Sequence, residues 1–289
     1  MKLKKLCALA LAAALAISAL PLSASAAKNP KKSADDMDIP AILQTTDEKG
    51  TVNVYHWWTA GGEKNAIESV VDGFKSVYSK IKANPTVENV QTGVAAFKAS
   101  GADCIIAIGG GSSMDTAKAI GIIIANPSFA DVVSLEGVAP TANKAVPIIA
   151  VPTTAGTGSE TTIAAVITGR DHRKYAVSDL CLIPRYAILD PTLSAGLPPH
   201  ITAETGMDAL THAVEAYLSR FYNTRKTREQ AERAVVTIFS HLERAYRDGA
   251  SLPDRAAMLQ ASFDAGAAFT RASVGNVHAI AHTLGGLYG

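Results

Sequence analysis

Before residue 198, short apolar runs alternate along the chain with segments whose apolar residues recur at helical spacing. The runs are rich in β-branched residues, which favours strands. The predicted strands are 51–58, 104–108, 146–151, 163–168, 175–177 and 187–189. The spaced segments predict helices at 63–78, 87–97 and 113–125. Strands that alternate with helices are typical of an α/β layer.

The pattern changes after Leu197-Pro198-Pro199, where the apolar positions fit a helical period throughout. The predicted helices are 202–219, 226–248, 253–270 and 274–287. We therefore predict two domains, an α/β domain over residues 83–197 and an all-α domain over residues 198–289.

The first part of the chain, residues 1–26, has the pattern of a targeting segment. Three lysines precede the apolar run 6–22, and the small residues Ala24-Ser25-Ala26 follow it. This order is typical of a secretory signal peptide and predicts a secreted or periplasmic protein. An uncleaved anchor helix is the alternative, although the run is short for a membrane span. Residues 27–50 are polar and are interpreted as a linker.

The composition of the 289-residue chain excludes some classes of partner. The chain is 48% hydrophobic and 18% charged, with a formal net charge of +1, which is ordinary for a soluble globular protein. It contains no basic stripe, and no second apolar run approaches a membrane span. We expect no nucleic-acid partner, and no membrane partner once the signal has been removed.

The segment Gly109-Gly110-Gly111-Ser112 lies between a predicted strand and a predicted helix. Glycines allow backbone N–H groups to approach a diphosphate, and a helix N-terminus favours negative charge. A tight turn without a ligand is the alternative, because the segment lacks the last glycine of G-x-G-x-x-G. A second loop of small hydroxyl residues, 152–159, follows the next predicted strand. Nucleotide clefts commonly lie at such positions in open α/β sheets.

Two pairs of potential metal ligands lie in the predicted all-α domain. Asp208 and His212 form one pair, and His278 and His282 form the other, each at spacing i, i+4. This spacing places both members of a pair on one helix face. Two faces that carry a carboxylate and three imidazoles can surround a divalent metal ion. Hydrogen-bonded histidines of the core or of the helix surface are the alternative interpretation.

Five stretches, in sequence order, carry a resemblance to a known family. They are NPTVENVQTG, GADCIIAIGGGSSMDTAKAIG, VPTTAGTGSE, LPPHITAETGMDALTHAVEAY and VHAIAHTLGGLYG. From about residue 84 to residue 289 the chain resembles the iron-containing (group III) alcohol dehydrogenases. The resemblance implies an α/β nucleotide-binding domain followed by an all-α metal-binding domain. It also implies hydride transfer between NAD and a small alcohol or aldehyde.

The resemblance implies roles for individual residues. The pyrophosphate of NAD would be held by Gly110, Gly111 and Ser112. The nucleotide cleft would be lined by Asn84, Asp115, Thr153, Thr154, Thr157 and Lys174. Fe²⁺, with Zn²⁺ as the alternative, would be bound by Asp208, His212 and His278. His282 would be the catalytic residue, placed beside the substrate as a proton relay. The choice between NAD and NADP and a homo-oligomeric state stay open.

The chain departs from the family at its end. The family's fourth metal ligand is a histidine in a Pro-His-Gly loop that follows the stretch matched by LGGLYG, and the sequence stops at Gly289. We therefore expect a truncated all-α domain with exposed apolar faces. We also expect a weakened metal site and little dehydrogenase activity.

The chain departs from the family at its front as well. Residues 1–82, including TVNVYHWWTAGGEKNAIESVVDGFKSVYSK, resemble the amino end of a sugar-binding protein of an ABC importer. That resemblance implies sugar stacking on Trp57 or Trp58 and hydroxyl binding by Glu63, with packing tryptophans as the alternative. The nucleotide-binding domain would then be incomplete at its start. A sugar-binding protein outside the cytoplasm, or an inactive chimera, is the alternative to a dehydrogenase, whose family is cytoplasmic.

Overall fold

The front half of the chain is built on a parallel sheet. The computed structural model describes residues 52–55, 76–78, 81, 84–220 and 222–288. The strands are β1 (Val52–Tyr55), β2 (Ser76–Tyr78), β3 (Cys104–Gly109), β4 (Ile148–Pro152), β5 (Ala164–Thr168), β6 (Lys174–Ser178) and β7 (Tyr186–Ala187). Five of them form one sheet in the order β2-β1-β3-β4-β7, with every neighbouring pair parallel. The predicted α/β layer is confirmed.

Two strands of this sheet come from the segment that resembled a sugar-binding protein. Backbone pairing aligns Val54 with Ile106 of β3 on one side and with Val77 of β2 on the other. The sheet therefore includes strands from before residue 83, where the sequence analysis began the α/β domain. The predicted helix 63–78 is also wrong at its end, where Ser76–Tyr78 is a strand. Pairing with β1 outweighs the helical spacing there.

Several predictions fall on segments that the structure does not describe. These are the signal peptide 1–26, the linker 27–50, and most of the predicted helix 63–78. The candidate sugar contacts Trp57, Trp58 and Glu63 also lie outside the described residues.

Two helices pack on the sheet, α1 (Val87–Ser100) and α2 (Gly111–Ala125). Thr86 caps α1, because its side chain accepts a hydrogen bond from the backbone N–H of Asn89. The Asn89 side chain in turn accepts one from the backbone N–H of Thr86. Helix α2 begins two residues before the predicted start at residue 113 and is buried along most of its length. Its burial beneath the sheet fixes the position of its N-terminus, which follows directly from the end of β3.

Strands β5 and β6 form a separate antiparallel pair. The three predicted strands after residue 160 are confirmed, but only β7 joins the main sheet. The β5–β6 hairpin packs over α2, with Ile167 and Val177 fully buried in the same core. The hairpin therefore brings Lys174, at the start of β6, to the edge of the cleft.

The second half of the chain is helical, as predicted. It contains α3 (Pro199–Leu218), α4 (Arg225–Arg247), α5 (Leu252–Ala272) and α6 (Asn276–Tyr288). The contacts among α3, α4 and α5 are made largely by alanines, such as Ala213, Ala234 and Ala265. Small side chains allow helix axes to approach closely. Among the described helices, none combines the length and the apolar character needed to cross a bilayer.

Candidate metal and nucleotide site

The glycine-rich turn after β3 is held against the loop after β4. A side-chain carbon placed on Gly110 would lie 3.1 Å from Thr154 Oγ1. One placed on Gly111 would lie 2.7 Å from Thr157 Cγ2. Contacts this short exclude any side chain at Gly111 unless the loop moves. The two predicted nucleotide loops therefore form one wall, and Gly110 caps α2 without a side-chain hydrogen bond.

Two buried hydroxyl groups lie at this wall. Thr153 follows β4, and Ser113 lies in the first turn of α2, and both are fully buried. Within the described residues, neither Thr153 Oγ1 nor Ser113 Oγ has a hydrogen-bond partner. Buried hydroxyl groups normally have partners, so these two groups indicate a polar ligand or water at the turn. Ser112, assigned to the pyrophosphate, is partly buried beside them.

Both carboxylate oxygens of Asp115 accept hydrogen bonds from other groups of the protein. Its Oδ1 accepts a hydrogen bond from Ser159 Oγ at 2.7 Å, and its Oδ2 accepts one from Val166 N at 2.9 Å. Burial raises the pKa of the Asp115 carboxyl, and the charge of Lys118 opposes that rise. Asp115 therefore ties α2 to the loop after β4 and to β5.

Lys118 and Glu160 are two buried ionisable residues that the sequence pattern did not predict. Lys118 is 0% exposed, and its Nζ donates to Ser159 Oγ, to Thr162 Oγ1 and to two backbone carbonyls at 2.8–3.1 Å. Burial lowers its pKa to about 8. Burial raises the pKa of Glu160 to about 7. A lysine inside an apolar helical pattern gives no sequence signal of such a network.

Lys174 and Asn84 meet at the opposite edge of the cleft. Lys174 Nζ donates to Asn84 Oδ1 at 3.2 Å. A side-chain carbon placed on Gly285 of α6 would lie 3.2 Å from the same Nζ. The ammonium group therefore lies against the helix that carries His278 and His282. Lys174, which the resemblance assigns to the nucleotide, thus lies beside α6 and holds Asn84 next to it.

Three of the four predicted ligand candidates come together between α3 and α6. The ligand atoms of Asp208, His212 and His278 all lie within 4.8 Å of one another. His278 Nε2 is 3.4 Å from Asp208 Oδ1, and His212 Nδ1 is 3.8 Å from the same oxygen. Two ligands at about 2.1 Å from a tetrahedral metal lie about 3.4 Å apart. The cluster therefore has the dimensions of a metal site.

The protonation of Asp208 and His212 suits a cation. Burial lowers the pKa of His212 to about 4, so its imidazole is neutral near pH 7. Burial would raise the pKa of Asp208, but the neighbouring imidazoles, that of His278 above all, bring it below its usual value. Among the described residues, His212 Nδ1 is buried without a hydrogen-bond partner. A buried neutral nitrogen beside a carboxylate fits Fe²⁺ or Zn²⁺.

Glu215 also belongs to the candidate site, although the sequence analysis did not predict it. His278 Nδ1 lies 2.6 Å from Glu215 Oε2. Glu215 stands three residues after His212 and seven after Asp208, on the same face of α3. This spacing is the signal that could have revealed it. A carboxylate behind a ligating imidazole is a common second contact in metal sites.

His282 lies next to the cluster but outside it. Its ring centroid is 5.9 Å from that of His278, and its side chain is exposed. His212 and His278 are instead stacked, with centroids 4.2 Å apart. The sequence spacing alone does not distinguish the two histidines of α6, whereas their positions in the structure do.

The loop after β4 also contacts the helices of the metal site. A side-chain carbon placed on Gly156 would lie 2.7 Å from Thr205 Cβ of α3, and one on Gly158 would lie 2.7 Å from Gly266 Cα of α5. The Gly156 backbone lies beside the imidazole of His212 and opposes the effect of burial on its pKa. One loop therefore borders both the glycine-rich turn and the metal cluster.

Two family models match the chain and cover most of both halves. The model described as iron-containing alcohol dehydrogenase matches residues 59–191, and that of the C-terminal part of the same family matches residues 202–289. The chain belongs to the iron-containing alcohol dehydrogenase family. The match begins at residue 59, well before the boundary near residue 84 that the sequence indicated. It therefore includes part of the segment that resembled a sugar-binding protein, and the comparisons do not support that alternative.

The chain is similar in sequence to named proteins. Lactaldehyde reductase of Escherichia coli (strain K12) is 44% identical over 214 residues, which are 74% of this chain and 55% of the reductase. The chain therefore spans about half the length of that relative.

Solved structures show the same fold. Alcohol dehydrogenase from Oenococcus oeni has a TM-score of 0.76 and 38% identity, with 82% of this chain and 64% of that chain covered. Sulfoacetaldehyde reductase from Bifidobacterium kashiwanohense, solved in complex with NAD⁺, has a TM-score of 0.75 and 30% identity. The match covers 88% of this chain and 68% of the sulfoacetaldehyde reductase chain.

Proposed function

We propose that the chain is an NAD-linked alcohol dehydrogenase or aldehyde reductase that depends on Fe²⁺, with Zn²⁺ as the alternative metal. The observation that carries the proposal is the cluster of three ligands. It combines a 3.4 Å separation of Asp208 Oδ1 and His278 Nε2 with an unpartnered buried nitrogen on His212 among the described residues. Family membership and the NAD⁺ complex of a structural relative support the cofactor assignment.

The residues of the cleft divide into two groups by position. Asp208, His212 and His278 would hold the metal at the floor of the cleft, between α3 and α6. The turn at Gly110 and Gly111 would bind the pyrophosphate, because the start of α2 offers backbone N–H groups and a favourable dipole. Fe²⁺ bound there would act as a Lewis acid on the substrate oxygen, and bound NAD would accept or deliver the hydride.

The remaining assigned residues border the same cleft. Lys174 and Asn84 lie beside α6 and would contact the nicotinamide half of the nucleotide. Thr153, Thr154 and Thr157 line the loop shared with the glycine-rich turn, and Asp115 holds that loop in place. His282, exposed and adjacent to His278, would relay the proton of a small alcohol or aldehyde.

Metal affinity is the first test of the proposed function. We expect the purified chain to bind Fe²⁺ or Zn²⁺, and the His212→Ala variant to bind it more weakly. The loss should exceed the roughly 10- to 100-fold that removal of an outer-shell partner causes. Metal affinity is measured by competition with a chromophoric chelator. Metal-dependent oxidation of NADH by a small aldehyde such as propanal is the second measurement.

His200 provides the matched control for this test. It is an exposed histidine in the first turn of α3 and stands apart from the cluster. The His200→Ala variant should bind metal as the wild type does. Equal metal affinity of the wild type and His212→Ala would refute the proposed site.

A further inference from the structure

One carboxylate, that of Glu215, accepts three hydrogen bonds from the start of α6. Its Oε2 accepts the backbone N–H of Gly275 and the Nδ1–H of His278, both at 2.6 Å. Its Oε1 accepts the backbone N–H of Val277 at 2.7 Å. The Glu215 side chain is only 8% exposed. Charge-assisted hydrogen bonds of this length are strong, and their burial shields them from water.

The first turn of α6 depends on this carboxylate. Gly275 O accepts the first helical hydrogen bond, from Ala279 N at 3.2 Å, so Gly275 occupies the cap position and has no side chain to fill it. Glu215 supplies the missing acceptor from α3. On α6, the apolar side chains of Val277 and Ile280 are more than half exposed. These two side chains therefore contribute little packing to hold the helix in place.

The same carboxylate selects the tautomer of His278. A neutral imidazole carries one ring proton, and an anionic acceptor 2.6 Å from Nδ1 keeps that proton on Nδ1. The other nitrogen, Nε2, is then free to ligate and lies 3.4 Å from Asp208 Oδ1.

We propose that Glu215 is a positioning residue of the metal site. Through one buried carboxylate it docks the first turn of α6 on α3 and directs Nε2 of His278 toward the metal position. The inference rests on the proposed function for its metal. The tautomer of His278 and the order of α6 can both be measured without a bound metal.

Three single variants test the proposal. Glu215→Ala removes all three acceptors and should lower Zn²⁺ affinity by about 10- to 100-fold. Glu215→Gln should lose less, because one amide oxygen in the place of Oε2 retains the bonds to Gly275 and His278. Glu204 is exposed on the same helix, and Glu204→Ala should bind Zn²⁺ as the wild type does.

A double variant separates ligand positioning from helix capping. A side-chain carbon on Gly275 would lie 2.9 Å from Glu215 Oε1, and Glu215→Ala removes that obstacle. Gly275→Ser in the Glu215→Ala background therefore supplies a new cap for α6. Hydrogen exchange should show that the α6 amides regain protection, while Zn²⁺ affinity stays low. Recovery of wild-type affinity would reduce Glu215 to a helix cap and overturn the proposal.

The tautomer of His278 is measured in the metal-free protein by the ¹⁵N chemical shifts of its ring. The wild type should carry the proton on Nδ1, and Glu215→Ala should show a mixture of tautomers. An unchanged Nδ1–H tautomer in Glu215→Ala would overturn the positioning role, whether or not metal binds. Failure of the wild type to bind Zn²⁺ or Fe²⁺ would instead count against the proposed function.

Discussion

Glu160 is the residue whose burial has the clearest energetic consequence. It is 3% exposed, and within the described residues neither carboxylate oxygen has a hydrogen-bond partner. The facing charges are those of Lys118 and, across the network, Asp115. Lys118 donates its protons to other acceptors, so it stabilises the Glu160 anion only through space. Burial therefore dominates and raises the pKa of Glu160 from 4.5 to about 7.

We predict that this carboxyl makes the protein less stable as the pH rises through its titration range. Between pH 4.5 and about 7 the folded state binds more protons than the unfolded state, so the free energy of unfolding falls with rising pH. The fall attributable to Glu160 is about 3 kcal/mol. Urea unfolding at pH 5 and pH 7.5 measures it in the wild type and in Glu160→Gln, which should lack this contribution.

The control for the pH measurement is Glu204→Gln, which changes an exposed glutamate. It should retain the full pH dependence of the wild type. The same slope in wild type and Glu160→Gln would show that Glu160 is ionised in the folded protein across the whole range.

Residue patterns predicted the meeting of Asp208, His212 and His278 better than they predicted what surrounds these residues. Asp208 and His212 were evident from spacing, because a helix places i and i+4 together whatever surrounds it. Glu215 was missed because a glutamate near the end of α3 has the pattern of a solvated charge. Its burial arises only when α6, far along the chain, packs over it. Lys118 was missed for the same reason, since its acceptors come from a distant loop.

Among the elements, the loop after β4 is the one that contacts both parts of the proposed site. Its backbone passes between the glycine-rich turn and the helices α3 and α5. Gly156 faces Thr205 with no space for a side chain, and Gly158 faces Gly266 in the same way. Backbone-to-backbone contacts of this kind cannot be relieved by side-chain rotation. The sequence of small residues 152–159 therefore reflects close packing on two sides as well as ligand binding.

We predict that Gly156→Ala destabilises the protein by about 1–3 kcal/mol, because the new methyl group would lie 2.9 Å from the carbonyl oxygen of Thr205. The variant should also weaken metal binding, because the Gly156 backbone lies beside His212. Urea unfolding and chelator competition measure the two effects.

Gly121→Ala is the comparison for the loop variant. A side-chain carbon at Gly121 would lie 3.4 Å from Val146 O, and alanine is favoured in a helix. Its stability should equal or exceed that of the wild type. A Gly156→Ala variant as stable as Gly121→Ala would show that the loop moves freely away from α3.

At the level of elements, periodicity predicted the long helices and failed at short strands. Helices α3, α4 and α5 were placed within a few residues, because their patterns extend over many turns. Ser76–Tyr78 was assigned to a helix, since three residues are too few to show a period. Whether such a segment forms a strand is decided by its neighbour, here β1.

For the whole molecule, the order of an α/β domain and an all-α domain followed from the sequence. The packing of one domain against the other did not follow from the sequence, because it depends on close contacts at glycines, which leave no periodic pattern. The place of residues 52–55 and 76–78 in the sheet was missed for a related reason. Sheet membership depends on backbone pairing with β3, which the sequence of the front segment does not show.

The shared loop has a thermodynamic consequence. Because one loop borders the glycine-rich turn and also lies beside His212, we expect occupation of one proposed site to alter the loop that the other uses. Binding linkage then requires equal and reciprocal effects: the factor by which Zn²⁺ tightens NAD⁺ must equal the factor by which NAD⁺ tightens Zn²⁺. We predict a factor of about 5 to 150, measured by calorimetric titration of each ligand with and without the other. The two domains would then act as one unit, in which the amount of bound metal determines the affinity for the nucleotide.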